Sequence, residues 1–109
     1  MQNIHLVSDL AEKATAPAKD IEATELFDGP RRKMIQIRLR AGATLSKHKA
    51  QEPITVFCYA GTGVFNAGTD LEDTQELHAG ILITLESNVQ HEAVATTDLT
   101  LIVTKFKDS

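Results

Sequence analysis

The sequence predicts an all-β fold, a sandwich or barrel of short strands, and three observations carry that prediction. Apolar and polar residues alternate with period two, as in Ile35, Ile37 and Leu39 set against Gln36, Arg38 and Arg40. Turn-forming clusters, among them Gly61-Thr62-Gly63, Gly68-Thr69-Asp70 and Glu86-Ser87-Asn88, cut the chain into seven or eight short runs at roughly ten-residue spacing. After the first 20 residues no second helix is marked. An immunoglobulin-like sandwich is the natural rival, but the chain has no Trp and lacks the cysteine pair of many such domains.

Taken in order, residues 1–20 read as a short helix, with Ser8 as N-cap, Asp9 and Glu12 near its positive end and Pro17 as its stop. From Ile21 the period changes to two and an edge strand begins, so residues 1–33 form a helix and edge strand of the same domain. Residues 34–40 are a half-buried strand, and His48 lies in a further strand pattern after Gly42. The β-branched and aromatic run 54–60 reads as a strand, and through Gly61-Thr62-Gly63 it is expected to form a hairpin with 64–67. Gly68 opens a polar loop. Residues 81–85, 89–95 and 99–106 complete the series, and no repeat or low-complexity tract is visible.

A chain of 109 residues and 11.9 kDa makes one domain, able to bury roughly two thirds of its unfolded surface. No run of 18 apolar residues is present, and Gln2, Asn3, His5 and Asp9 stand where an export signal would be basic and then apolar, so neither membrane nor export is expected. Cys58 is the single cysteine, which excludes an intrachain disulfide and suits a reducing, cytoplasmic setting. The net charge of -4 argues against a nucleic-acid partner, because phosphate neutralisation requires a basic surplus. Charge is nonetheless uneven. Arg31, Arg32, Lys33, Arg38, Arg40, Lys47 and Lys49 crowd one segment, which predicts a basic strand paired with an acidic one.

Two Gly-to-His spacings carry the chemical signal. Gly42 is followed after five residues by His48, with Gly61 further on; Gly80 is followed after ten residues by His91. In this the chain resembles a small single-domain cupin of the RmlC-like superfamily. That family's first motif is Gly, five residues, His-x-His, three or four residues, Glu, six residues, Gly; its second is Gly, five residues, Pro-x-Gly, two residues, His. The resemblance runs from about residue 34 to residue 106, with Glu86 and Asn88 replacing the Pro and Gly of the second motif. It implies a double-stranded β-helix, or jelly-roll barrel, over 34–109. Metal-holding members use both histidines of the first motif, its Glu and the histidine of the second. Here the second His position is Ala50 and the Glu position is Ile54.

A lone histidine in a barrel ordinarily bonds a backbone carbonyl and binds nothing else, yet the positions of His48 and His91 imply one shared cavity. Period-two counting turns Ile54, Val56 and Cys58 inward, as well as Ala93 and Ala95, leaving an apolar pocket beside small side chains. The expected binding residues are therefore His48, His91, Ile54, Val56, Cys58 and Ala93. His5 and His78 carry no such spacing and are expected at the surface. With no cation beside it, Cys58 is expected to be an inert buried thiol. His48, His91 and Glu52 form the candidate metal set, a two-His-one-carboxylate combination suited to iron. The chain is thus expected to hold either no metal or a weakly bound divalent ion, iron, manganese, zinc or nickel. The reading is a small-molecule-binding protein, expected as a homodimer. Its alternative is an iron- or manganese-dependent dioxygenase or isomerase.

Overall fold

The computed structural model describes residues 3–10 and 17–107. Nine strands run in order: β1 (Ile21–Asp28), β2 (Arg32–Leu39), β3 (Thr44–His48), β4 (Ile54–Ala60), β5 (Gly63–Ala67), β6 (Asp73–Leu77), β7 (Leu82–Leu85), β8 (His91–Ala95) and β9 (Leu99–Phe106). They form two antiparallel sheets, a five-stranded one ordered β1-β2-β9-β4-β7 and a four-stranded one ordered β3-β8-β5-β6. No helical element lies within the described residues, of which Leu10 alone has helical conformation. The helix expected before Pro17 falls largely on residues 11–16, which lie outside the described residues.

The core sits between the sheets, where strict alternation delivers it. Ile54, Val56 and Cys58 from β4 meet Phe65 and Ala67 from β5, Ala93 and Ala95 from β8, and Leu99, Leu101 and Val103 from β9, all buried. Thr55, Phe57 and Tyr59 on the opposite face of β4 are only half buried. The basic strand finds its acidic partner in β1, with Arg38 bonded to Glu22 at 3.0 Å and Lys33 set 3.6 Å from Glu25.

Two expectations about connectivity are corrected. Residues 54–60 and 64–67 do not form a hairpin, because β4 pairs with β7 and β9 while β5 pairs with β6 and β8. Gly61-Thr62-Gly63 instead carries the chain from one sheet to the other. Gly61 has φ +89, and a Cβ there would lie 2.0 Å from the Asp98 carbonyl oxygen. A two-residue glycine turn looks the same in sequence whether its strands pair or part; the partners waiting on either side decide. The second correction is β6, which lies within the expected polar loop. Asp73, Thr74, Gln75 and Glu76 are exposed and only Leu77 is buried, so this edge strand is held by its ladder to β5 and shows no apolar alternation.

Candidate functional site

The two histidines meet because their strands are neighbours. β3 pairs with β8, and His48 stands opposite His91 after a register shift that begins at Leu45. Their ring centroids are 4.2 Å apart, edge to face at 61°. The turn before His91 is tied to the segment after His48 by the Asn88 N–H, which donates to the Ala50 carbonyl at 2.8 Å. Asn88 has φ 63, so at the position where the cupin motif has Gly this chain uses the residue next most tolerant of a left-handed backbone.

Both rings are anchored in the same way. His48 Nδ1 lies 2.7 Å from the Ser46 carbonyl oxygen, and His91 Nδ1 lies 2.9 Å from that of Val89, each two residues earlier. A carbonyl only accepts, so each Nδ1 carries a proton, and in the neutral form of either ring Nε2 keeps the lone pair. Among the described residues neither Nε2 has a hydrogen-bond partner. The environments differ. His48 is exposed, whereas His91 is 4% exposed and stacks on Phe65 with centroids 5.6 Å apart and planes at 16°. Burial holds the His91 pKa below its ordinary value, opposed by the Val89 hydrogen bond and helped by the charge of Lys105 and by the repulsion that a second proton would meet beside His48.

Both histidines line one cavity of about 130 Å³ between the sheets, close to the volume of an apolar cavity that accommodates a benzene ring. Ile54 and Val56 form part of its wall, and Ala50 lines it with His48. Cys58 and Ala93 are buried but lie off that wall. The Cys58 sulfur is 3.8 Å from the carbonyl oxygens of Ala60 and Gly61, and burial pushes its pKa up, as suits an inert thiol. Glu52 does not line the cavity, and among the described residues no three His, Cys, Asp or Glu side chains are grouped to hold a metal. His78 and His5 are exposed, His5 resting against the Phe27 ring. Sequence reading missed the apolar residues Ile35, Ile37, Leu45, Phe65, Leu101 and Val103 of the lining, and both of its cations, Lys49 and Lys105. The signal for Lys105 was present, since Leu101, Val103 and Lys105 share one face of β9 by simple alternation.

The two-sheet architecture recurs in solved structures. A cupin superfamily protein from Desulfitobacterium hafniense superposes with a TM-score of 0.80 over 99% of this chain and 94% of its own, at 13% identity. The chain has the cupin fold. An RmlC-like cupin from Shewanella frigidimarina matches with a TM-score of 0.71 at 21% identity, covering 82% of this chain and 78% of that one. A conserved protein of unknown function from Streptococcus pyogenes matches with a TM-score of 0.81 at 16% identity, covering 98% and 93%. Compared as a sequence, the chain matches no family model and none of the curated proteins. Cupins share a scaffold and differ in what their cavities do, so function is argued from the residues that line this one.

Proposed function

We propose that this cupin binds a small molecule in the cavity between His48 and His91, presenting two neutral imidazoles as hydrogen-bond acceptors to a ligand with an apolar body. The observation that carries the reading is the paired anchoring of the rings, which commits both Nδ1 protons to backbone carbonyls and leaves each Nε2 to the ligand as an acceptor whenever the ring is neutral. Apolar walls from Ile54, Val56, Phe65 and Leu101 supply the burial, and two acceptors at one end of them set orientation.

The same lone pairs suit a metal, but the rest of the lining does not. A tight site takes three or four protein donors, while Ala50 and Ile54 donate nothing and Glu52 stands off the wall. Lys49 and Lys105 add cations to the lining, which disfavours a divalent ion. The proposal therefore includes only weak metal retention, with water completing the shell, and derives no catalytic step from it. It also takes the working unit as a homodimer, which light scattering tests; a single 11.9 kDa species at micromolar concentration refutes that part.

NMR titration with small alcohols, phenols and hydroxy acids, followed on the ligand signals and on the histidine ring protons of the protein, tests the binding reading. Binders are expected to shift the ring resonances of both histidines and to lose binding in His48→Phe and His91→Phe. A panel without binders, or binders that leave both rings unmoved, refutes it.

A further inference from the structure

The cavity's charge is as one-sided as its walls are apolar. Lys49 and Lys105 line it together with the two histidines, and no Asp or Glu does. Four cations outside the lining face carboxylates, Lys33 with Glu25, Arg38 with Glu22, Arg40 with Asp20 and Lys107 with Asp28, whereas among the described residues Lys19, Arg31, Arg32 and Lys47 do not. Among the described residues Lys49 and Lys105 have no such ion pair. Lys49 is exposed and Lys105 half buried, whereas Val103 and Leu101, further along the same face of β9, are buried. The ammonium groups therefore belong to the open end, and the apolar wall continues inward beneath them. Lys105 stands opposite Ile54 in the β4–β9 register, so a cation and an apolar residue of the lining are neighbours across the ladder.

We infer that the ligand is a small organic carboxylate with a short branched or cyclic apolar body, its carboxylate held by Lys49 and Lys105 and a hydroxyl donated to the imidazoles. This rests on the small-molecule reading above and specifies the charge that reading leaves open. Two ammonium groups in a lining without a carboxylate favour an anion there, and a charge-assisted hydrogen bond is about twice as strong as a neutral one. A neutral imidazole accepts and so repels a carboxylate oxygen; the donor that satisfies it is a hydroxyl on the same ligand. The volume of about 130 Å³ leaves room for a body of benzene size. Phosphate alone would leave the apolar wall wet.

Isothermal titration of the full chain separates these elements with four probes: 2-hydroxy-3-methylbutanoate, its neutral amide, 3-methylbutanoate, and inorganic phosphate. The hydroxy acid is expected to bind best. The amide should bind about tenfold or more weaker, and Lys49→Met and Lys105→Met should each cost the hydroxy acid a similar factor and the amide a smaller one, so that the acid preference falls. Met keeps the length and apolar stem of Lys at both positions, and circular dichroism confirms that the variants are folded. Equal affinity for acid and amide, or an acid preference that survives in the double lysine variant, overturns the carboxylate assignment and leaves the cavity reading standing. Phosphate binding as tightly as the hydroxy acid overturns the apolar body. Equal affinity for hydroxy acid and 3-methylbutanoate overturns the hydroxyl. Failure of all four probes, with the histidine resonances unmoved, removes the inference and the binding reading together.

Discussion

Gly61→Ala is the substitution to which this fold is expected to be most sensitive for its size. Gly61 begins the crossing between the sheets at φ +89, where a non-glycine residue pays about 1–2 kcal/mol for the left-handed backbone. The new Cβ would also lie 2.0 Å from the Asp98 oxygen and 2.9 Å from the Asp98 carbonyl carbon and Leu99 Cα, all backbone atoms that cannot rotate away. Relief requires the crossing and the β8–β9 turn to separate by more than an ångström. That movement strains the bonds joining them: Thr96 and Thr97 N–H to the Thr62 carbonyl at 3.0 and 3.2 Å, and Thr62 N–H to Thr97 Oγ1 at 2.9 Å. Each is worth about 1 kcal/mol net, so the expected loss is about 3–5 kcal/mol, a large share of the roughly 5–15 kcal/mol by which a domain is stable. Gly42→Ala is the matched control, because Gly42 has φ +85 but a Cβ there would meet nothing within 4 Å, leaving only the backbone cost of about 1–2 kcal/mol. The chain has no Trp, so urea unfolding is followed by circular dichroism. Losses that agree to within about 0.5 kcal/mol for the two variants would refute the steric part of this reasoning.

Ala50→His combined with Ile54→Glu should add two donors to the wall that holds His48 and His91 and convert weak metal retention into tight one-to-one binding, measured by titration with iron(II), manganese(II) and zinc(II). Tight binding by the unaltered chain, lost in both His48→Ala and His91→Ala, would refute the weak-metal reading. Because the folded pKa of His91 lies below its ordinary value of 6.5, the unfolded chain takes up more protons. The stability His91 contributes is therefore complete above pH 6.5 and is lost as pH falls through the folded value. The groups bearing on it are His48, Lys105 and the Val89 carbonyl, and His91→Gln should flatten that limb in urea midpoints measured across pH. Glu22 and Asp28, whose pKa values are lowered first by hydrogen bonds from Ala18 and Lys107 respectively, act below their ordinary values of 4.5 and 3.8. Cys58 should react with a thiol reagent only as fast as the chain unfolds, and rapid labelling in native buffer would show that its burial is misjudged.

Much of the site was legible because its signals are local. Alternation placed Ile54, Val56 and Cys58 on the buried face, and β4 and β9 have the bounds that the apolar runs announce. The Gly-to-His spacings brought His48 and His91 to one cavity, since each spacing fixes a histidine's position on a strand that follows a tight turn. Strand β6 was not legible. Its residues are polar and exposed, and an edge strand of that composition exists only because β5 offers a ladder.

By itself the sequence determined the all-β class, the buried faces of the strands and the pairing of a basic strand with an acidic one, all of which follow from residue type and a period of two. Only the tertiary structure decided that β4 and β5 part into opposite sheets and that Cys58 and Ala93 lie off the cavity wall. It alone brought Lys49 and Lys105 to the same opening as the imidazoles. The physical reason is range. Alternation tells each side chain which face it occupies, but the contents of a cavity depend on which strands become neighbours, and hydrogen-bond ladders between distant segments set that.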